Sequence, residues 1–232
     1  MKNKKWNQFD KLTGKCYNNI IGAEKDGSCW MQAFELLLAI VQEERQTNPN
    51  YAKELDLLDD ATDYTHDIQG WLEDCLDEVD MRDDYSTLLN LCNTLLGMFE
   101  WPDYTGSDLK FRKASVLAKL GQKKEAAQFC EEWLEKEPEN ILAATACVYA
   151  YMGVERLAEA EGLVDRFIPD KSLCTEENDY MFLAADALYL VTEQKQKKEI
   201  IEKAMQEYDK QLQDWFGADE LDEDWFEDEL PF

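Results

Sequence analysis

The strongest constraint on this chain is an internal echo. Ala114, Leu117 and Gly121 reappear as Ala146, Tyr149 and Gly153, each 32 residues later, and Pro138 is followed by Pro169, 31 residues later. Around both copies apolar residues recur at helical spacing and are interrupted by a glycine or a polar turn. A period near 32–34 residues in helix-turn-helix form is the signature of a helical repeat, in which each unit buries its apolar face on the next. The pattern predicts an all-α fold: a short right-handed solenoid of antiparallel helical hairpins, with divergent N-terminal helices and an acidic C-terminal tail.

The rest of the chain can be divided against that echo. Residues 1–26 read as an N-terminal extension and 27–66 as a divergent helical segment. Within the latter, Trp30, Phe34, Leu37, Leu38 and Val41 line one face of a helix. Ser28 is a candidate N-cap, and Asn48-Pro49 ends the helix. A shorter helix is expected within 51–64, and Asp67 is placed to cap the next one. Residues 67–213 then divide into four hairpins, 67–102, 107–140, 141–169 and 176–213. In the first, Ile68, Trp71, Leu72, Cys75, Leu76 and Val79 form the apolar stripe of the leading helix. In the second, Gly121 supplies the left-handed residue that ends a helix. The return helix of 141–169 fits best if its turn is about two residues longer. Residues 214–232 form an acidic aromatic tail in which Asp-Trp-Phe occurs twice.

Composition narrows the function. Lysine and arginine total 24 against 51 aspartates and glutamates, a formal charge of −27. Such a chain repels phosphate, so direct nucleic-acid binding and anionic membranes are disfavoured, while basic partners are attracted. No apolar run approaches the roughly 20 residues that span a bilayer. The basic N-terminus lacks the apolar core of a signal peptide, which predicts a cytoplasmic protein. The seven cysteines include no C-x-x-C and sit among apolar residues, as buried reduced thiols do. With His66 the sole histidine, no metal site and no cofactor are expected.

The residues Ala114, Leu117, Ala126, Cys130, Trp133 and Pro138, echoed by Ala146, Tyr149, Ala160 and Phe167, resemble the tetratricopeptide repeat, most clearly over 107–168. The glycine usual after the first large residue of that pattern is replaced by Ala114 and Ala146. The chain is also similar to bacterial repeat proteins that open with a tryptophan-rich helical segment. Those proteins often end in a cysteine-rich zinc motif that is absent here, so nothing about metal carries over. The resemblance implies a concave peptide-binding groove lined by first helices: Phe111, Ser115, Ala118 and Lys119, then Asn140, Ala143, Cys147, Ala150 and Tyr151, then Ala184, Leu188 and Val191. Phe111 and Ser115 stand where a carboxylate-clamping subclass carries polar and basic groups, so that clamp is broken.

No catalytic residues are expected. The many carboxylates fall on predicted solvent faces, where a charge run is ordinarily just solvated. His66 beside Asp67 could imitate a Cys-His pair, yet no cysteine occupies a nucleophile turn. In the tail, Trp215, Phe216, Trp225 and Phe226 either fold back as a cap or serve as anchors of a docking motif whose acids steer it to a basic partner. The expected function is a non-catalytic scaffold or adaptor, monomeric or weakly homo-oligomeric, that binds a protein or peptide. The alternative is an acidic decoy that occupies a basic nucleic-acid-binding protein by charge mimicry.

Overall fold

The computed structural model describes residues 2–216, with side chains from 4 to 215. Among them are eleven α-helices, one 3-10 turn at Pro102–Tyr104 and no strand. The fold is therefore all-α. The chain forms two compact units, 1–102 and 103–232.

The first unit holds α1 (Lys2–Ile20), α2 (Ser28–Thr47), the single turn α3 (Leu57–Asp60), α4 (Ile68–Met81) and α5 (Tyr85–Met98). Helix α1 packs on α2, α3 on α4, and α4 on α5. Residues 1–26, expected only as an extension, contain α1. A helix forms there because Trp6, Phe9, Leu12 and Cys16 recur every three or four residues and are buried. Their rings join an aromatic chain through the core. Trp6 stacks on His66 (4.6 Å between centroids), Phe9 meets Trp71 edge-on (5.1 Å), and Trp71 stacks on Trp30 (6.3 Å).

Three local expectations are corrected. The helix expected within 51–64 shrinks to α3, because Ala52, Asp63 and Tyr64 take left-handed backbone conformations that a helix cannot contain. Ser28 begins α2 instead of capping it, and Asp26 accepts hydrogen bonds from both its N–H and its hydroxyl, each at 2.9 Å. Asp67 is itself left-handed and makes no side-chain cap. Its role passes to Asp59 of α3, whose carboxylate accepts from the N–H groups of Ile68 (2.7 Å) and Gln69 (3.0 Å) while only 4% exposed. A buried carboxylate is thereby satisfied by the unpaired N–H groups and positive end of α4.

The second unit comprises α6 (Ser107–Lys119), α7 (Lys123–Lys136), α8 (Ile141–Gly153), α9 (Leu157–Phe167), α10 (Asp179–Val191) and α11 (Lys195–Phe216). Each helix packs on the next, and α8 also packs on both α6 and α10. Helix α8 accordingly has no solvent face along its middle: residues 143 to 150 are all buried. Its sequence, ILAATACVYAYMG, is apolar almost all round, as a centrally placed helix requires. Ala143, Ala146, Cys147 and Ala150 face Ala114, Ala127, Cys130 and Trp133. Ala144, Val148 and Tyr149 belong to a second cluster with Val164, Phe182 and Leu188. Small residues at these contacts let helix backbones approach closely.

One turn recurs four times. α4/α5, α6/α7, α8/α9 and α10/α11 are each joined through a single left-handed residue, respectively Asp83, Gly121, Glu155 and Glu193. The next residue's N–H then reaches back five positions, from Asp84 to Val79, Gln122 to Leu117, Arg156 to Tyr151 and Gln194 to Tyr189, at 2.9–3.3 Å. This is the paired hydrogen-bond pattern that closes a helix C-terminus, and the following helix starts at once. Gly121 and Gly153, equivalent in the sequence echo, differ here. Gly121 is the left-handed residue (φ +76°), whereas Gly153 is the last helical residue of α8 and Glu155 turns the chain. The expected longer turn is absent: three residues separate α6 from α7 and three separate α8 from α9, and the structural repeat runs 34 residues, from Gly121 to Glu155, rather than the 32 of the glycine echo.

Candidate functional site

The residues assigned to a groove by the repeat resemblance lie on α6, α8 and α10, with Asn140 at the head of α8, and the structure separates them by exposure. Ser115, Asn140, Ala143, Cys147, Ala150, Ala184 and Leu188 are buried; Phe111, Ala118 and Tyr151 are half-buried; Lys119 and Val191 are exposed. The buried members contribute to helix packing, because α8 is covered by neighbours on every side.

Asn140 is engaged on all sides. Its carbonyl oxygen caps α8 by accepting from Leu142 (3.0 Å) and Ala143 (3.3 Å). Its amide donates to Ser107 Oγ (2.8 Å) and to Glu137 Oε2 (2.6 Å). Glu137 also accepts from the Trp133 indole (2.7 Å) and pairs with Lys110. Burial alone would raise this carboxyl, but the donors Lys110, Trp133 and Asn140 outweigh it and hold Glu137 below its ordinary value. The cluster ties the start of α6 to the end of α7 and the start of α8.

Phe111 is likewise engaged. Its ring meets that of Tyr180, with centroids 6.3 Å apart at 58°, so α6 and α10 touch across the face on which the groove was expected. Tyr180 keeps 55% of its surface exposed. At the other end of α8, Tyr151 carries the Arg156 guanidinium 4.2 Å above its ring. Arg156 pairs with Glu159 at 2.6 Å and Glu131 at 2.5 Å. Burial pushes the Tyr151 hydroxyl up to about 12, with Cys147 and Glu131 adding to the shift. The open positions on α6 and α10 include Asp108, Lys119, the outer edges of Phe111 and Tyr180, and the end of α10, where Leu190 and Val191 are 61% and 59% exposed.

The thiols are uniformly buried. Cys147, hydrogen-bonded beside it, and then burial push the Cys130 thiol far up, while burial raises Cys16 and Cys75 to about 12. Neutral thiols of this kind are packing residues and not nucleophiles. His66 meets Asp10 through Nδ1 (2.6 Å) and stacks on Trp6, so the histidine fastens α1 to the segment before α4. Among the described residues no group of three or more His, Cys, Asp or Glu is arranged to hold a metal ion, and no helix is long and apolar enough to cross a membrane.

Of the tail residues, Trp215 lies in the last turn of α11 and is 84% exposed. Phe216 ends that helix, its side chain outside the described set, and Trp225 and Phe226 lie outside the described residues. Sequence reasoning missed a depression lined by Gly121–Glu125 and Gly153–Glu155, which runs between two of the recurrent turns and carries Lys123 and Lys124. The 32-residue glycine echo was the available signal. Comparison of the chain with protein-family models, curated proteins and solved structures gives no match.

Proposed function

We propose that this chain is a non-catalytic protein-interaction scaffold whose second unit is a right-handed stack of antiparallel helical hairpins related to the tetratricopeptide repeat. The observation that carries this reading is the central position of α8, packed on α6 before it and α10 after it. Alternate helices meet in that way when hairpins stack, and the recurrent left-handed turns give each pair the same connection. The partner surface is the exposed remainder of the first helices, Lys119, Phe111, Tyr180 and Val191, together with the acidic aromatic tail. The tail steers a basic partner, and its aromatics anchor it. The protein acts in the cytoplasm without a cofactor.

The charge of the first unit favours a second reading, an acidic decoy for a basic nucleic-acid-binding protein. Thirteen carboxylates fall between residues 54 and 84, with Glu73, Asp74 and Asp77 exposed on α4. Affinity capture separates the two readings. The scaffold reading expects a captured protein that is lost when Trp215, Phe216, Trp225 and Phe226 become alanine or when Tyr180→Ala and Lys119→Glu are combined. The decoy reading expects a basic protein that survives both sets and is displaced by DNA or RNA. Capture unaffected by any of these changes would contradict both.

A further inference from the structure

Helix α1 runs against the charge of the whole molecule. It carries five lysines and one acidic residue, Asp10, in a chain of net charge −27. Lys5 pairs with Glu43, and Asp10 is held by His66. Of the other four lysines, Lys2 lies outside the residues with described side chains, which leaves Lys4, Lys11 and Lys15. They stand seven and four residues apart, so they align on one face of the helix, and all three are exposed. Asn7 and Gln8 lie beside them on the same side, opposite the buried Trp6, Phe9, Leu12 and Cys16. None of the three lysines forms an ion pair among the described residues. The stripe extends about 16 Å from Lys4 to Lys15 at the helical rise.

We propose that this lysine stripe is the docking site for the acidic C-terminal segment of a second copy of the chain. Residues 217–232 contain eight carboxylates and no basic group, and six of these acids form two runs, Asp222–Asp224 and Glu227–Glu229, on either side of Trp225-Phe226. In extended chain the centres of the two runs are about 16 Å apart, the length of the stripe. Docking through residues 217–232 sets a 16-residue acidic stretch, and not the whole acidic body, against the stripe. At physiological ionic strength the Debye length is about 8 Å, which screens repulsion between the bodies and leaves contact pairs in place. A nucleic acid fits less well, because the same unit presents thirteen carboxylates over residues 54–84. The stripe belongs to the first unit and the tail to the second, so the contact rests on the reading of the tail as a docking segment and competes with the proposed partner for it, while Phe111, Lys119 and Tyr180 take no part.

The test uses the full chain and sedimentation velocity over micromolar to millimolar concentrations, at about 0.1 M and about 1 M salt. One variant reverses the stripe (Lys4→Glu, Lys11→Glu, Lys15→Glu). Another neutralises the tail (Asp222→Asn, Glu223→Gln, Asp224→Asn, Glu227→Gln, Asp228→Asn, Glu229→Gln). Circular dichroism checks that both fold. The expected result is a mass rising from 27.0 kDa towards twice that value at the lower salt and falling back at the higher. Each variant alone stays monomeric, whereas an equimolar mixture associates, because one supplies the tail and the other the stripe. A wild-type chain that stays monomeric throughout, variants that associate as the wild type does, or a mixture that stays monomeric would each overturn the proposal.

Discussion

Asn140 at the head of α8 donates its side-chain amide to the hydroxyl of Ser107 at the head of α6 across 2.8 Å. Both groups are buried, so one side chain caps a helix and fastens it to the helix one repeat earlier. Asn140→Ala removes the cap, strands the Ser107 hydroxyl and takes one of three donors from Glu137, which keeps Lys110 and Trp133. A loss of about 1–3 kcal/mol in urea unfolding is expected. Asn140→Asp keeps the cap acceptor but sets a carboxylate against Glu137, so it should not restore wild-type stability.

The two glycines of the echo should respond in opposite ways. Gly121→Ala places a Cβ on a left-handed backbone with no atom within 4 Å, so the cost is conformational, about 1 kcal/mol. At Gly153 the backbone is helical and a new Cβ would meet only the Lys123 stem at 3.8 Å. Gly153→Ala should therefore be neutral or stabilising by up to about 1 kcal/mol. Thermal melts of the two variants check the sign of each.

Acid should act on the second unit in two stages. Burial raises Asp179 and Asp209 above the ordinary aspartate value. Their protonation on mild acidification relieves a cost present at neutral pH, so stability first holds or rises. Glu137 lies below its ordinary value of 4.5, and the stability it contributes is lost as pH falls through that depressed value. Glu137→Gln should flatten the acid limb of a stability–pH profile and leave the earlier limb unchanged.

In the first unit Trp71 touches Trp30 and Phe9 and is 1% exposed. Trp71→Ala should cost about 3–5 kcal/mol, and Trp71→Phe markedly less. Near-ultraviolet circular dichroism should report the loss of the stacked pair in both.

The helical content was legible in the apolar rhythm of each hairpin, whereas the central position of α8 was not, because its residues were assigned to an open groove although the nearly all-apolar run Ile141–Gly153 carried the signal. The α1 helix was hidden by its lysines, which mask a three- and four-residue apolar rhythm. The Asp59 cap was not legible because it acts across a loop on a helix that starts nine residues later. The groove list failed to separate surface from core at Asn140, Cys147 and Leu188. Family position indicates which helix a residue occupies, but the neighbours packed on that helix decide its exposure, and those neighbours are not local in sequence.

The most direct measurement of the scaffold reading is cross-linking mass spectrometry of the captured complex. The account predicts cross-links from the partner to Lys119 and to lysines of α11 near the acidic tail, lost in the tail-aromatic variant. Cross-links confined to other surfaces of the chain, or unchanged in that variant, would contradict it.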